Sequence, residues 1–340
     1  MPVLLSRGVK ALPFARKAKL QPFTNTELIY NPSFKDTLAT LRSYLNIDKL
    51  IHSQVPSIPV QTIRRDSIES DKDDCVFRLG HSAVLMKIDG KVLLTDPVFS
   101  DRASPLSWAG PKRFHPLPIS LEDLPHIDVC LISHDHYDHL DKQTIKQLHE
   151  RVDQFLVPKR VGHNLLGWGV ARNKIQEFDW WQSKRVGTLT FVFTPTQHFS
   201  GRSYKERDWS LWGSWVIQGS ESNIYFSGDS GYFSGFRDIG ERYGPFDLTL
   251  METGAYDERW ASIHMFPEQS VQAHIDVKGN VMLPIHNSTF DLSFHAWNEP
   301  LKRLVREASE RNVNVVCPKI GEKVLISELS VTENQQAWWD

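Results

Sequence analysis

Ile127-Asp128-Val129-Cys130-Leu131-Ile132-Ser133-His134-Asp135-His136-Tyr137-Asp138-His139 is the stretch on which the fold turns. Its first six residues form an apolar run of buried-strand length, so the polar cluster that follows emerges at the carboxyl end of a strand. Three imidazoles and two aspartates within six residues are far denser than chance gives a chain with 14 histidines in 340 residues. Residues two apart in extended backbone share a face, which lets His134 and His136 converge on one ion. Asp138 and His139, beyond the ensuing turn, can face a second ion close by. Neutral imidazole and carboxylate are the usual ligands of zinc and similar divalent cations. The stretch predicts a metal site.

Two ions need more ligands than one loop supplies. Three further segments share one format, an apolar strand ending in a ligand-type residue. Phe191-Val192-Phe193-Thr194-Pro195-Thr196-Gln197-His198 offers His198, and Ile224-Tyr225-Phe226-Ser227-Gly228-Asp229 offers Asp229. Val281-Met282-Leu283-Pro284-Ile285-His286 offers His286. A lone strand-end histidine is usually a hydrogen-bonded surface residue. Three such ends alongside the first cluster reverse that expectation.

Around these segments the chain reads as a compact domain behind an extension. Residues 1–70 form the extension, with a helical pattern near 34–46 and a Pro- and Ser-containing linker after it. Arg7, Lys10, Arg16, Lys17 and Lys19 precede the first acid, Glu27, as in a basic segment able to touch anionic lipid. The compact metal-binding domain is expected over 71–340. Ala83–Ile88 and Lys91–Thr95 flank Asp89-Gly90, a strong hairpin signal. Residues 96–118, rich in Pro, Gly and Ser, read as a long loop, and Asp141 as the N-cap of a helix over 142–151. Strands are expected at 155–157, 188–194, 214–217, 223–227, 248–251, 281–284, 313–317 and 323–326, and helices at 267–277 and 300–311. Hairpins first, then mixed strands and helices, predict two mixed sheets covered by helices, an αββα sandwich.

Composition narrows the class. Charge of −2 argues against a general nucleic-acid binder. Cys75, Cys130 and Cys317 are odd in number and widely spaced, which disfavours a disulfide framework and points to a reducing, cytoplasmic setting. No stretch nears the ~20 apolar residues that span a bilayer. Contact with a membrane would therefore be peripheral.

The ordered set His134-x-His136-x-Asp138-His139, His198, Asp229 and His286 resembles the ligand order of the metallo-β-lactamase superfamily. That resemblance implies a first ion on His134, His136 and His198. It implies a second on Asp138, His139 and His286, with Asp229 bridging both. Thr95-Asp96-Pro97-Val98-Phe99-Ser100, Gly110-Pro111-Lys112-Arg113, Leu211-Trp212-Gly213-Ser214-Trp215, Gly228-Asp229-Ser230-Gly231-Tyr232 and Gly254-Ala255-Tyr256 are similar to the N-acyl-phosphatidylethanolamine phospholipase D family. The likeness covers about residues 75–300. Asn287-Ser288 departs from it, standing where that family would carry Trp-Gly.

The chemistry expected of such a centre is hydrolysis by a water of lowered pKa held between two divalent ions. Zinc suits the donors, and manganese or iron can replace it. Asp138 is expected both to bind metal and to orient the nucleophile, and His264, which resembles a functional histidine of the phospholipase family, to protonate the departing group. Asp135 is expected behind the ligands or facing solvent, and His81, His115 and His274 as packing or surface residues. Trp108, Phe114, Trp212, Trp215 and Trp260 are candidates for an apolar wall. The substrate class implied is an N-acylated ethanolamine phospholipid, with a lactone, thioester or amide as the alternative on the same scaffold. A phospholipid or other small ester is thus the expected partner, with a homodimer possible and no nucleic acid.

Overall fold

Alternation along the strands decides which layer each side chain joins. The computed structural model describes residues 21–28, 55, 57–329 and 337–340. The helical pattern near 34–46 and the basic residues before Gln21 lie outside them. The strands are β1 (Cys75–Gly80), β2 (Ala83–Ile88), β3 (Lys91–Thr95), β4 (Ile127–Leu131), β5 (Val152–Pro158), β6 (Ile175–Phe178) and β7 (Ser183–Val186). Then come β8 (Leu189–Thr194), β9 (Ser214–Gln218), β10 (Asn223–Phe226), β11 (Phe246–Glu252), β12 (Gly279–Ile285), β13 (Asn314–Val315) and β14 (Lys323–Leu325). One sheet runs β14-β1-β2-β3-β4-β5-β6 and the other β13-β12-β11-β10-β9-β8-β7. In each, an antiparallel half meets a parallel half.

Successive residues on a strand point to opposite faces. Val84, Met86, Val129 and Leu131 therefore meet Phe193, Trp215, Ile217, Phe226 and Leu250 in the core between the sheets. Their neighbours Leu85, Leu94, Cys130 and Phe155 face outward beneath α2 (Lys142–Leu148) and α3 (Gly162–Gly167). Val192, Val216, Tyr225 and Met282 face outward beneath α4 (Gly235–Tyr243), α5 (Pro267–Asp276) and α6 (Glu299–Glu310). Strands covered on both faces must be apolar throughout, which is why they read as continuous runs. The architecture is the expected αββα sandwich.

Local chemistry sets the elements that frame the site. Asp89 and Gly90 both take positive φ (49° and 72°), as the β2–β3 turn requires. The Asp141 carboxylate accepts from Gln143 N at 3.1 Å and caps α2. Residues 96–118 contain neither helix nor strand, as their composition predicts.

The packing runs across residue 70, where composition places the boundary. A short α1 (Arg65–Glu69) buries Ile68, and Ile63 joins the same cluster. Gln61 N donates to Ile320 O at 2.7 Å and Ile63 N to Pro118 O at 2.8 Å. The C-terminal Trp pair docks on its own chain, with Trp338 Nε1 donating to Cys317 O and Asn298 Nδ2 to Trp339 O. All three cysteines are buried, and none is in a disulfide. No helix among the described residues is long and apolar enough to cross a membrane.

Candidate metal centre

Strand ends at one edge of the sandwich deliver the polar groups. The loop after β4 carries His134, His136, Asp138 and His139, while His198 lies beyond β8, Asp229 beyond β10 and His286 beyond β12. All seven expected ligands meet there. Ligand atoms of His134, His136 and His198 lie within 4.8 Å of one another. His136 Nδ1 is 2.9 Å from His134 Nε2 and 3.2 Å from His198 Nε2. Asp138, His139 and His286 form a second group of the same spacing, joined by His81. Asp229 Oδ2 sits between the groups, 3.8 Å from His134 Nε2 and His198 Nε2 and 3.1 Å from His139 Nε2 and His286 Nε2.

The residues fit a pair of divalent ions. His139 Nε2, His286 Nε2 and Asp229 Oδ1 are buried without a hydrogen-bond partner. Such groups are costly to bury unpaired, and an ion is the partner that imidazole nitrogens and carboxylate oxygens share. The outward nitrogens are anchored, which fixes the nitrogens that face the centre. His134 Nδ1 lies 2.9 Å from Ser133 Oγ, His198 Nδ1 2.9 Å from Ile263 O and His139 Nδ1 2.7 Å from Asp96 Oδ2.

Burial drives the His134 and His198 imidazoles well below their ordinary range, which keeps them in the neutral, ligating form. Burial also pushes His139 and His286 down, but Asp229 and Asp138 outweigh it. His139 is held well above its usual value and His286 at about 10. Burial works against ionisation of Asp138 and Asp229, yet His139 and His286 hold both carboxyls well below the usual range. An ion held by Asp138, His139 and His286 would therefore displace protons from imidazoles.

Three contributors escape the sequence reading. His81 is neither a simple packing residue nor a surface one. It is buried, with Nε2 2.9 Å from Asp138 Oδ2 and its ring 4.0 Å from that of His286. It follows β1 in the strand-end format that marks His198 and His286, so the signal was there. Asp96, at the end of β3, takes up His139 Nδ1, Ser133 N and Ser133 Oγ. Glu252 closes β11, accepts from Ser230 N at 2.6 Å and pairs with His264 Nδ1. His115 and His274 are buried away from the ligands, on Thr289 and Thr249. Asp135 is buried behind the loop, accepting from Gly201 N and Ser210 Oγ at 2.8 Å each.

A cavity of about 260 Å³ opens over the centre. His136, Asp138, Asp229 and His286 line its floor, and Phe199, Trp260, Ile263 and Leu292 its apolar side. His264 also lines it, with burial lowering its imidazole to about 4. Of the expected aromatic wall, Trp260 is present and Phe114 lines a narrow adjoining cleft. Trp212 and Trp215 belong to the core instead, and Trp108 is 74% exposed on its loop. Beside His286, the Asn287 carbonyl and side-chain oxygens both accept from buried Arg78 Nη2, at 2.7 and 2.8 Å.

Residues 91–287 match the family described as Beta-lactamase superfamily domain. The chain belongs to the beta-lactamase superfamily. It is a metal-dependent hydrolase of that superfamily, with the His/Asp cluster at its centre. An N-acyl-phosphatidylethanolamine-hydrolyzing phospholipase D of Caenorhabditis elegans is 34% identical over 297 residues, 80% of this chain and 83% of the relative. An uncharacterized Mycobacterium tuberculosis protein is 48% identical over 250 residues, 72% of this chain and 67% of the relative. A metallo hydrolase of Ignicoccus hospitalis has a similar fold, with TM-score 0.57 and 21% identity over 74% of this chain and 98% of the other.

Proposed function

We propose that the chain is a binuclear metal-dependent phosphodiesterase of phospholipase D type, acting on N-acyl-phosphatidylethanolamine-like lipids. One observation carries the reading: Asp229 Oδ2 lies between two ligand groups on the floor of a cavity with an apolar side. The name of the nematode relative supports the substrate class. His134, His136 and His198 would hold one ion, Asp138, His139 and His286 the other, and Asp229 both. Such ions, zinc or else manganese or iron, supply a water of lowered pKa and positive charge for the phosphoryl oxygens.

The protein's own groups do the rest. Asp138, in the cavity floor, would orient the attacking water. As the bond from water oxygen to phosphorus forms, the bond from phosphorus to the ethanolamide oxygen breaks. Glu252 occupies Nδ1 of His264, and the imidazole is neutral at rest, so Nε2 would take the proton the water gives up and return it to the departing oxygen. Phe199, Trp260, Ile263 and Leu292 exclude water and receive hydrocarbon. The products are phosphatidate and an N-acylethanolamine, released at a membrane surface that the protein touches peripherally.

Asn287 and Ser288 line the narrow cleft that adjoins the cavity at His286, which favours testing a second reading, hydrolysis of a lactone, thioester or amide. The metal-loaded protein is incubated with N-acyl-phosphatidylethanolamine, an acyl-homoserine lactone and a thioester, and products are read by mass spectrometry. N-acylethanolamine release lost in the His134→Ala, His136→Ala double variant is the expected result. Turnover kept by that variant would refute the mechanism, and preference for the lactone or thioester would favour the second reading.

A further inference from the structure

His198 stands beyond the end of β8, where no strand continues the ladder past Thr194. Its imidazole is anchored through Nδ1 to Ile263 O, and its backbone is taken up from an unexpected quarter. Asn25, 173 residues earlier in the chain, donates from Nδ2 to His198 O at 2.7 Å. His198 N donates back to Asn25 Oδ1 at 3.1 Å, and the same oxygen accepts from Trp212 Nε1 at 3.0 Å. One side-chain amide thus does for His198 what a neighbouring strand does for an ordinary residue. Only a side chain with donor and acceptor on one carbon makes that pair of bonds.

The stretch around Asn25 is fastened on both sides. Arg160 Nη1 donates to Gln21 O at 3.0 Å, and its guanidinium lies 4.3 Å from the Phe23 ring centre. Phe23 N donates to Asp208 O at 2.8 Å, Gln197 Nε2 donates to Leu28 O, and Glu27 Oε1 accepts from Ser234 N at 2.9 Å. These contacts fall on the turn after β5, on the segments flanking His198 and on the loop after Asp229. They do not fall on His139 or His286.

We infer that residues 21–28 form a strap that completes the first ion position, with Asn25 as the positioning residue for His198. The inference rests on the binuclear reading given above. Groups that orient a metal ligand from behind are each worth ~10–100-fold in metal affinity. The strap acts on one position, so its loss is selective. The ion on His134, His136 and His198 weakens, and the ion on Asp138, His139 and His286 does not.

The test titrates full-length wild type, Asn25→Ala and Asn25→Ser with zinc against a chelating dye, and with cobalt while the visible ligand-field bands are followed. In folded Asn25→Ala, one site is expected to weaken by ~10–100-fold and change its cobalt bands while the other keeps its affinity. Asn25→Ser, which keeps a single hydroxyl, falls between and carries the comparison should the alanine variant not fold. Two sites of wild-type affinity, or equal weakening of both, would overturn the strap. A wild-type protein that binds fewer than two ions would instead sink the binuclear reading. Neither outcome depends on substrate.

Discussion

Replacing Asp96 by Asn tests how the second ion position is kept ready. Asp96 is fully buried, and Oδ1 accepts from Ser133 N at 2.7 Å. Oδ2 takes up Ser133 Oγ at 2.5 Å and His139 Nδ1 at 2.7 Å. The amide has the same shape but one fewer acceptor. Turned one way, its NH₂ meets the Ser133 N–H, a clash of donors. Turned the other way it meets His139 Nδ1, which must then give up its proton and carry it on Nε2. That is the nitrogen 3.1 Å from Asp229 Oδ2, so the variant holds His139 in the tautomer that cannot ligate. The expected loss is ~10–100-fold in affinity for the second ion, or about 1.4–2.7 kcal/mol. Chelator competition with a two-site fit reads it directly, and the first ion should weaken less, because Asp96 reaches it only through Ser133 Oγ on His134 Nδ1. Two sites of wild-type affinity in folded Asp96→Asn would refute the tautomer argument.

Burial alone lowers His274 to about 4, so the folded state excludes a proton that the unfolded chain binds below its ordinary 6.5. The stability this represents is complete above pH 6.5 and is lost as pH falls from 6.5 through 4, ~3 kcal/mol in all. Urea unfolding between pH 7 and 4.5 should therefore show His274→Gln declining less steeply than wild type; parallel curves would contradict the assignment. Phe226 is fully buried between the sheets, and Phe226→Ala should lose about 3–5 kcal/mol in the same assay with the secondary structure retained. A Cβ on Gly240 would sit 2.4 Å from Asp276 O, so Gly240→Ala should destabilise by about 1–3 kcal/mol although alanine is the better helix former. A more stable alanine variant would show that the α4–α5 contact yields.

Much of this molecule can be read before it is folded. The density of His134–His139 announces metal chemistry, and the repeated strand-end format finds His198, Asp229 and His286 because each follows an apolar run. His81 shares the strand-end format of His198 and His286, whereas Asp96 and Glu252 are each a lone polar residue at a strand end. Their significance is their distance to another polar residue, which sequence does not display. Edge strands β6 and β7 were missed because their exposed faces carry Gln176, Glu177, Ser183 and Arg185 in place of an apolar run. Helix α4 was missed because Gly235 and Gly240 weaken its pattern, although close packing on residues 276–277 requires Gly240. The pairing of Asn25 with His198 has no sequence signal, since nothing near Asn25 is apolar in period or metal-like in composition.

The account stands on two ions sharing Asp229, and anomalous diffraction from crystals of the metal-loaded protein measures that directly. Two peaks are expected, one among His134, His136 and His198 and one among Asp138, His139 and His286, with Asp229 contacting both. A single peak, or metal bound elsewhere while these side chains keep their present contacts, would contradict it.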